Sequence, residues 1–141
     1  MKKFISVFAI VCLFFSMAFH VSAFSGSTSG ITRGFYMSSA NVYATVDGEN
    51  DVIGRAVVPC LSKVAEIDVD MYLQRSYGNA WRNATSAYNI NKKDLYELDE
   101  SAIIYNVTPG TYRVYIEVTV IGYDGLMDSG AVGTGSFTIL T

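Results

Sequence analysis

The feature that most constrains the fold is a near-strict alternation of apolar and polar residues over the segment 111–121, directly after the turn-like Thr108-Pro109-Gly110. A period of two places successive side chains on opposite faces of a β-strand, whereas a helix would need a period near 3.6. The residues predicted to point inward are Tyr112, Val114, Ile116, Val118 and Val120. The segment therefore predicts a strand of a sheet that covers a core with one face only.

Shorter segments of the same kind recur along the chain, separated by Gly, Asn and Asp turn signals roughly every 10–15 residues. Strands are predicted over 41–46, 52–58, 64–75, 80–89, 101–106, 111–121 and 131–140. Residues 91–99 fit a helical turn, an edge strand or a loop equally well. We therefore predict an all-β fold, an Ig-like antiparallel β-sandwich of about seven strands, with a small closed β-barrel as the alternative.

The N-terminus has the pattern of a secretory signal peptide. Lys2 and Lys3 precede an uncharged, mostly apolar run over 4–19, and Val21-Ser22-Ala23 places small residues where signal peptidase cleaves. We expect cleavage after Ala23 and secretion; an uncleaved membrane anchor is the alternative. The predicted organisation is a signal peptide over 1–23, a flexible leader over 24–34 and a single β-sandwich domain over 35–141.

The composition argues against most catalytic chemistry. Signal-peptide removal would take away His20, the only histidine, and leave Cys60 as the one cysteine. Histidine is the usual proton carrier and transition-metal ligand, so we predict that the protein is not an enzyme. Cys60 is predicted to be a buried core thiol, with an intermolecular disulfide or a reactive thiol as alternatives. A net charge of −3 without a basic stripe argues against nucleic acid as a partner.

Two groups of outward-pointing residues are candidate binding sites. Tyr72 and Tyr115 could stack on sugar rings or join a protein interface, although strand propensity alone would also explain them. Glu66, Asp68 and Asp70 alternate along one strand face and could hold Ca²⁺ weakly. Alternate strand residues lie about 6.5–7 Å apart, so one ion would need a second segment. A solvated outer face is the simpler explanation, and we expect no cofactor unless Ca²⁺ is bound.

Besides Cys60, the residues predicted to have structural roles are Gly110, Tyr112 and Trp81. The sequence Gly110-Thr111-Tyr112 resembles the tyrosine corner of immunoglobulin-like domains, in which the Tyr hydroxyl binds upstream backbone. Trp81, the only tryptophan, is predicted to be a large core residue between the two sheets. An exposed, ligand-stacking Trp81 is the alternative.

The order of motifs over residues 40–140 resembles a family of small secreted proteins of Gram-positive bacteria whose function is unknown. The resemblance is carried by "MYLQRSYGNAWRNATSAYNI", then "TPGTYRVYIEVTV", then a glycine-rich last strand. It implies export and an Ig-like architecture, and it carries no catalytic residues.

Together these features predict a secreted, non-enzymatic protein that binds another protein or a cell-envelope or carbohydrate ligand through its surface. The alternative is a secreted effector such as a small bacteriocin or toxin, although the chain lacks a basic amphipathic segment. A hydrolase that uses carboxylates alone is the least favoured of the three.

Overall fold

The computed structural model of the protein describes residues 34–141 and the backbone of residues 22–27. The described residues form no helix and eight strands: β1 (Ser22–Ser27), β2 (Asn41–Val46), β3 (Val52–Tyr77), β4 (Ala80–Asn83), β5 (Tyr88–Ile104), β6 (Gly110–Ile121), β7 (Met127–Gly133) and β8 (Phe137–Ile139). Every strand pair is antiparallel, and all eight strands belong to one hydrogen-bonded sheet. The predicted all-β class is confirmed.

Strand β3 organises the sheet. It has 26 residues, and a straight strand of that length would extend about 85 Å, much farther than a domain of this size. The pairing with β5 shifts register between Pro59 and Val64. Because proline cannot donate a ladder hydrogen bond, strand prolines sit at edges and bulges, and here Pro59 marks a bend. Before the bend, β3 lies between β2 and β5; after it, β3 lies between β5 and β6.

The bend divides the sheet into two halves, one built on β3 before Pro59 and the other on β3 after Val64, and turns them toward each other. Gly54 lies in the first half of β3 and Met71 in the second half. A Cβ atom built on Gly54 would come within 2.5 Å of the Met71 sulfur and 3.1 Å of Val114 Cγ1. The halves therefore touch across the core, and a glycine at position 54 makes the close approach possible.

The core consists of the inward residues of both halves. In β6 the buried positions are Tyr112, Val114, Ile116, Val118 and Val120, which is the set that the alternation predicts. In the second half of β3, the residues Ile67, Val69, Met71 and Leu73 are buried in the same way. These side chains remove apolar surface from water at about 25 cal/mol per Å², the main force holding the halves together.

The architecture is one curled sheet, a half-barrel, which is consistent with the barrel alternative. The strands predicted over 52–58 and 64–75 are parts of the single strand β3. Residues 91–99, left open by the sequence, belong to β5, which also contains residues 101–104 of the strand predicted over 101–106. Residues 131–140 contain the end of β7 and all of β8.

Most of the predicted signal peptide and part of the predicted leader fall in residues 1–21 and 28–33, outside the described residues. Residues 22–27 form β1, which pairs with β2 at the edge of the sheet. The structure thus places the beginning of the predicted flexible leader in a strand.

The carboxylate of Asp128 attaches the segment before β2 to the sheet. Asp128 is 8 % exposed, and its two oxygens accept hydrogen bonds from the backbone N–H groups of Phe35, Tyr36 and Met37 at 3.0, 2.7 and 2.8 Å. Burial raises the pKa of Asp128, but these backbone donors outweigh burial, and the pKa lies below its ordinary 3.8. Gly34 has no side chain, and a Cβ atom there would overlap the carboxylate.

Candidate functional site

The two predicted binding tyrosines lie next to each other on the outer face of the sheet. Tyr72 of β3 and Tyr115 of β6 are directly opposed in the strand register. Their ring centroids are 6.5 Å apart and the rings are tilted by 43°, and both side chains are half-buried. Burial, Asp70 and Glu117 raise the pKa of Tyr72, so its hydroxyl remains protonated and can donate a hydrogen bond.

Arg113 extends this tyrosine pair toward β4. Its guanidinium lies 4.7 Å from the centroid of the Trp81 ring and 5.2 Å from that of Tyr115. Its Nε–H donates to Oε1 of Gln74 at 2.8 Å, and the amide of Gln74 donates to Asn83 at 2.9 Å. A cation over an indole or phenol ring is attracted by the negative ring face. We call Tyr72, Gln74, Trp81, Arg113 and Tyr115 the stacked face.

Gly133 leaves the space that Arg113 occupies. Gly133 of β7 is paired with Tyr115, and a Cβ atom there would come within 3.3 Å of Arg113 Cδ. Burial lowers the pKa of the Arg113 guanidinium, while Tyr115 raises it by a smaller amount. The guanidinium nevertheless keeps its charge at any physiological pH.

The structure corrects the predicted position of Trp81. Its partner across the ladder is Ser76, which has the outward phase of Tyr72 and Gln74, so Trp81 lies on the outer face rather than between facing sheets. The side chain is half-buried and is not part of the core. The sequence could not predict this, because the face of a residue in a four-residue strand depends on which partner it pairs with.

The acidic row of β3 lies on the same outer face, farther from Arg113. Asp68 and Asp70 both accept hydrogen bonds from the Asn89 amide, at 2.7 and 3.0 Å. Glu66 accepts one from Asn91 at 2.5 Å. These carboxylates are thus bound to side chains of β5, and no group of three or more acidic, His or Cys residues in the described part of the chain is arranged to hold a metal ion.

Tyr112 and Gly110 have local structural functions. Tyr112 is 2 % exposed, and its hydroxyl donates to the backbone carbonyl of Thr108 at 2.8 Å, the hydrogen bond expected of a tyrosine corner. Gly110 lies beside Arg75, whose Nε would be 2.9 Å from a Cβ atom at this position. Arg75 can therefore donate to the carbonyl of Pro109 at 3.0 Å.

Cys60 lies in the bend of β3 and pairs with Met37 through an isolated bridge. The thiol is free, half-buried and packed against the core. Burial, together with the negative charges of Asp128 and Glu97, raises its pKa to about 11. A thiol with so little thiolate at neutral pH is a poor nucleophile.

Sequence reasoning missed Arg113 and Gln74 as members of the site. Both have the outward phase of Tyr72 and Tyr115, and each is two residues from one of these tyrosines along the same strand. This shared outward phase was the one feature of the sequence that could have indicated that Gln74 and Arg113 lie on the same face as the tyrosines. The sequence does not show that Gln74 faces Arg113 across the ladder, because the register depends on how β3 and β6 pair.

The comparisons with known proteins give no match: none to a protein-family model, to a curated protein or to a solved structure. Among the described residues, no helix is long and apolar enough to span a membrane.

Proposed function

We propose that the protein is a secreted, non-enzymatic binding protein whose stacked face recognises a carbohydrate of a cell envelope. The observation that carries the proposal is the arrangement of Trp81, Arg113, Tyr115 and Tyr72 in one row on an outer sheet face. Indole and phenol rings combine an apolar surface with a polar edge, which suits the alternating C–H and hydroxyl surfaces of a sugar.

The amides beside the rings hold the face in one arrangement, and Gln74 itself is buried. Gln74 and Asn83 form a hydrogen-bonded pair that fixes the position of Arg113. Donors and acceptors held in place in this way lose little conformational entropy when a ligand binds. A sheet face that only contacts solvent does not require side chains held in fixed positions in this way. Secretion and the Ig-like family resemblance remain predictions from the sequence.

Titration of the purified protein with cell-wall polysaccharides tests the proposal. Tyr115→Ala and Trp81→Ala each remove one ring, and we expect each to weaken binding about tenfold, corresponding to about 1.4 kcal/mol. Tyr43→Ala is the matched control, because Tyr43 is an exposed tyrosine on the other half of the sheet, outside the stacked face.

The proposal fails if no polysaccharide binds, or if Tyr43→Ala weakens binding as much as Tyr115→Ala. If Tyr115→Ala and Trp81→Ala instead lose affinity for a protein partner captured from the cell surface, the stacked face is a protein interface and the carbohydrate assignment is wrong.

A further inference from the structure

Three arginines lie at the end of the sheet that carries the β3–β4 hairpin, with Arg113 on the outer face and Arg75 and Arg82 on the opposite face. Arg75 and Arg82 oppose each other in the β3–β4 pairing, and Arg113 is next to the β6 residue that opposes Arg75. Each guanidinium lies over an aromatic ring: Arg75 over Tyr77 and Tyr112, Arg82 over Tyr77, and Arg113 over Trp81 and Tyr115.

The carboxylates nearest in sequence to the stacked face are Asp70 and Glu117, which oppose each other in the strand register beside Tyr72 and Tyr115, on the side away from Trp81. Asp and Glu are absent from residues 71–93, 101–116 and 129–141, although the chain has 13 acidic residues and a net charge of −3. The two ion pairs found among the described residues are Arg55–Asp99 and Lys92–Glu100, and both are in other parts of the sheet. This end of the sheet therefore has three arginines without an ion pair among the described residues and borders the carboxylates of Asp70 and Glu117; we call it the arginine end.

The guanidinium of Arg113 has donors available for a ligand. Its Nε–H is bound to Gln74, and the rings of Trp81 and Tyr115 lie against it. The terminal nitrogens form a planar fork that matches the two oxygens of a carboxylate or phosphate group. Stacking and the Gln74 hydrogen bond hold this fork in one orientation.

We propose that the carbohydrate bound by the stacked face is an acidic polysaccharide, and that Arg113 contacts its carboxylate or phosphate groups. This inference rests on the proposed function. Arg82 and Arg75 lie on the opposite face and add only a longer-range positive charge, which salt screens over a Debye length of about 8 Å at physiological concentration. Charge complementarity selects the ligand: the arginine end attracts an anionic polymer, and the rings contact its sugars.

Binding is measured with three purified polymers: polygalacturonate, which carries carboxylates; a poly(glycerol phosphate) polymer, which carries phosphodiesters; and neutral dextran. We expect binding of at least one acidic polymer and at least about tenfold weaker binding of dextran. Raising the salt concentration from about 50 to about 300 mM should weaken binding of the acidic polymer severalfold. The first two polymers distinguish carboxylate from phosphate as the recognised group.

Arginine substitutions locate the contact. Arg113→Gln should reduce affinity for the acidic polymer about tenfold or more, and Arg82→Gln about two- to threefold, as expected for a contact charge and a distant charge. Arg55→Gln is the matched control because Arg55 is an exposed arginine on the other half of the sheet, and it should have no effect. Arg113→Lys keeps the charge but loses the fork, so an intermediate loss is expected. If Arg113→Gln does not fold, as judged by thermal unfolding, Arg113→Lys and Arg82→Gln provide the test.

The outcomes separate this inference from the proposed function. Binding of dextran and the acidic polymers with equal affinity, dependent on Tyr115 but not on Arg113, would overturn the inference and leave the proposed function standing. Absence of binding to every polysaccharide would overturn both. Equally tight binding of a single-stranded oligonucleotide would show a general attraction for polyanions, and the assignment to a polysaccharide would then be wrong.

Discussion

Replacing Asp128 with asparagine tests whether the described fold depends on one buried carboxylate. The two oxygens of Asp128 accept three backbone hydrogen bonds, from Phe35, Tyr36 and Met37. Asparagine has nearly the same shape, but it presents an NH₂ group where one carboxylate oxygen was. At least one backbone N–H then faces another donor, and the remaining hydrogen bonds lose the contribution of the negative charge.

The expected decrease in the free energy of unfolding can be worked out from these hydrogen bonds. A hydrogen bond to a charged group contributes about 1.5–3 kcal/mol, and a buried donor without a partner costs about 1–3 kcal/mol. Because the remaining oxygen keeps part of the interaction, we expect Asp128→Asn to lower the free energy of unfolding by about 2–3 kcal/mol. For a domain of roughly 100 residues this corresponds to a Tm lower by about 10–15 °C.

Urea unfolding at neutral pH, followed by circular dichroism, measures this loss. The control is Asp99→Asn, which breaks the exposed ion pair with Arg55 and should cost less than about 1 kcal/mol.

The pKa of Asp128 is lower in the folded protein than its ordinary 3.8. Its contribution is therefore fully present above the unfolded-state pKa and is lost as the pH falls through the lower folded-state pKa. The difference between wild type and Asp128→Asn should thus shrink as the pH drops below about 4. Equal stabilities at neutral pH, or a difference that grows in acid, would refute the reasoning.

Three further predictions concern other positions. Tyr112→Phe removes the hydroxyl that donates to Thr108, and we expect a loss of about 1 kcal/mol in urea unfolding without a change of fold. Gly122→Ala would place a methyl group against the ring of Tyr36, and a loss of about 1–3 kcal/mol is expected in the same assay; a neutral result would show that the ring can move away. Cys60, with its pKa raised to about 11, should react slowly with an alkylating reagent at neutral pH and faster as the pH rises, measured as the difference between the wild type and Cys60→Ser. Rapid labelling at neutral pH would contradict the raised pKa of the thiol.

The sequence predicted the parts of the fold that depend on local periodicity. The alternation in β6 identified all five of its buried residues, because a period of two assigns faces without any knowledge of the neighbouring strands. It did not predict that residues 52–77 form one bent strand, since a strand that contributes to both halves of a curled sheet has the same local pattern as two separate strands. Long-range pairing, which no local pattern specifies, decides between one sheet and two.

For the candidate site, too, the sequence predicted what local periodicity determines and did not predict what depends on long-range strand pairing. Tyr72 and Tyr115 were assigned to the outer face from their phase, and the structure places them side by side. Trp81 was assigned to the core because large aromatic residues are usually buried, whereas pairing with Ser76 places it outside. Arg113 could not be recognised as the centre of the row, because two of its contacts, Gln74 and Trp81, come from the β3–β4 hairpin, far from Arg113 in the sequence.

The packing of Arg113 distinguishes a binding site from a surface that merely tolerates arginine. Arg55 is exposed and paired with Asp99, as expected for an arginine that serves solubility and local stability. Arg113 is half-buried, has its pKa lowered by that burial and lacks a carboxylate partner among the described residues. If Arg113 packs against Trp81 and Tyr115 only to stabilise the sheet, Arg113→Gln should reduce stability. Its affinity for the polysaccharide should then equal that of the wild type at temperatures where both are folded. If the stack exists to hold the guanidinium for a ligand, the fractional loss of affinity should far exceed any change in stability. The ratio of these two losses, measured on the same variant, therefore decides the role of the stacked face.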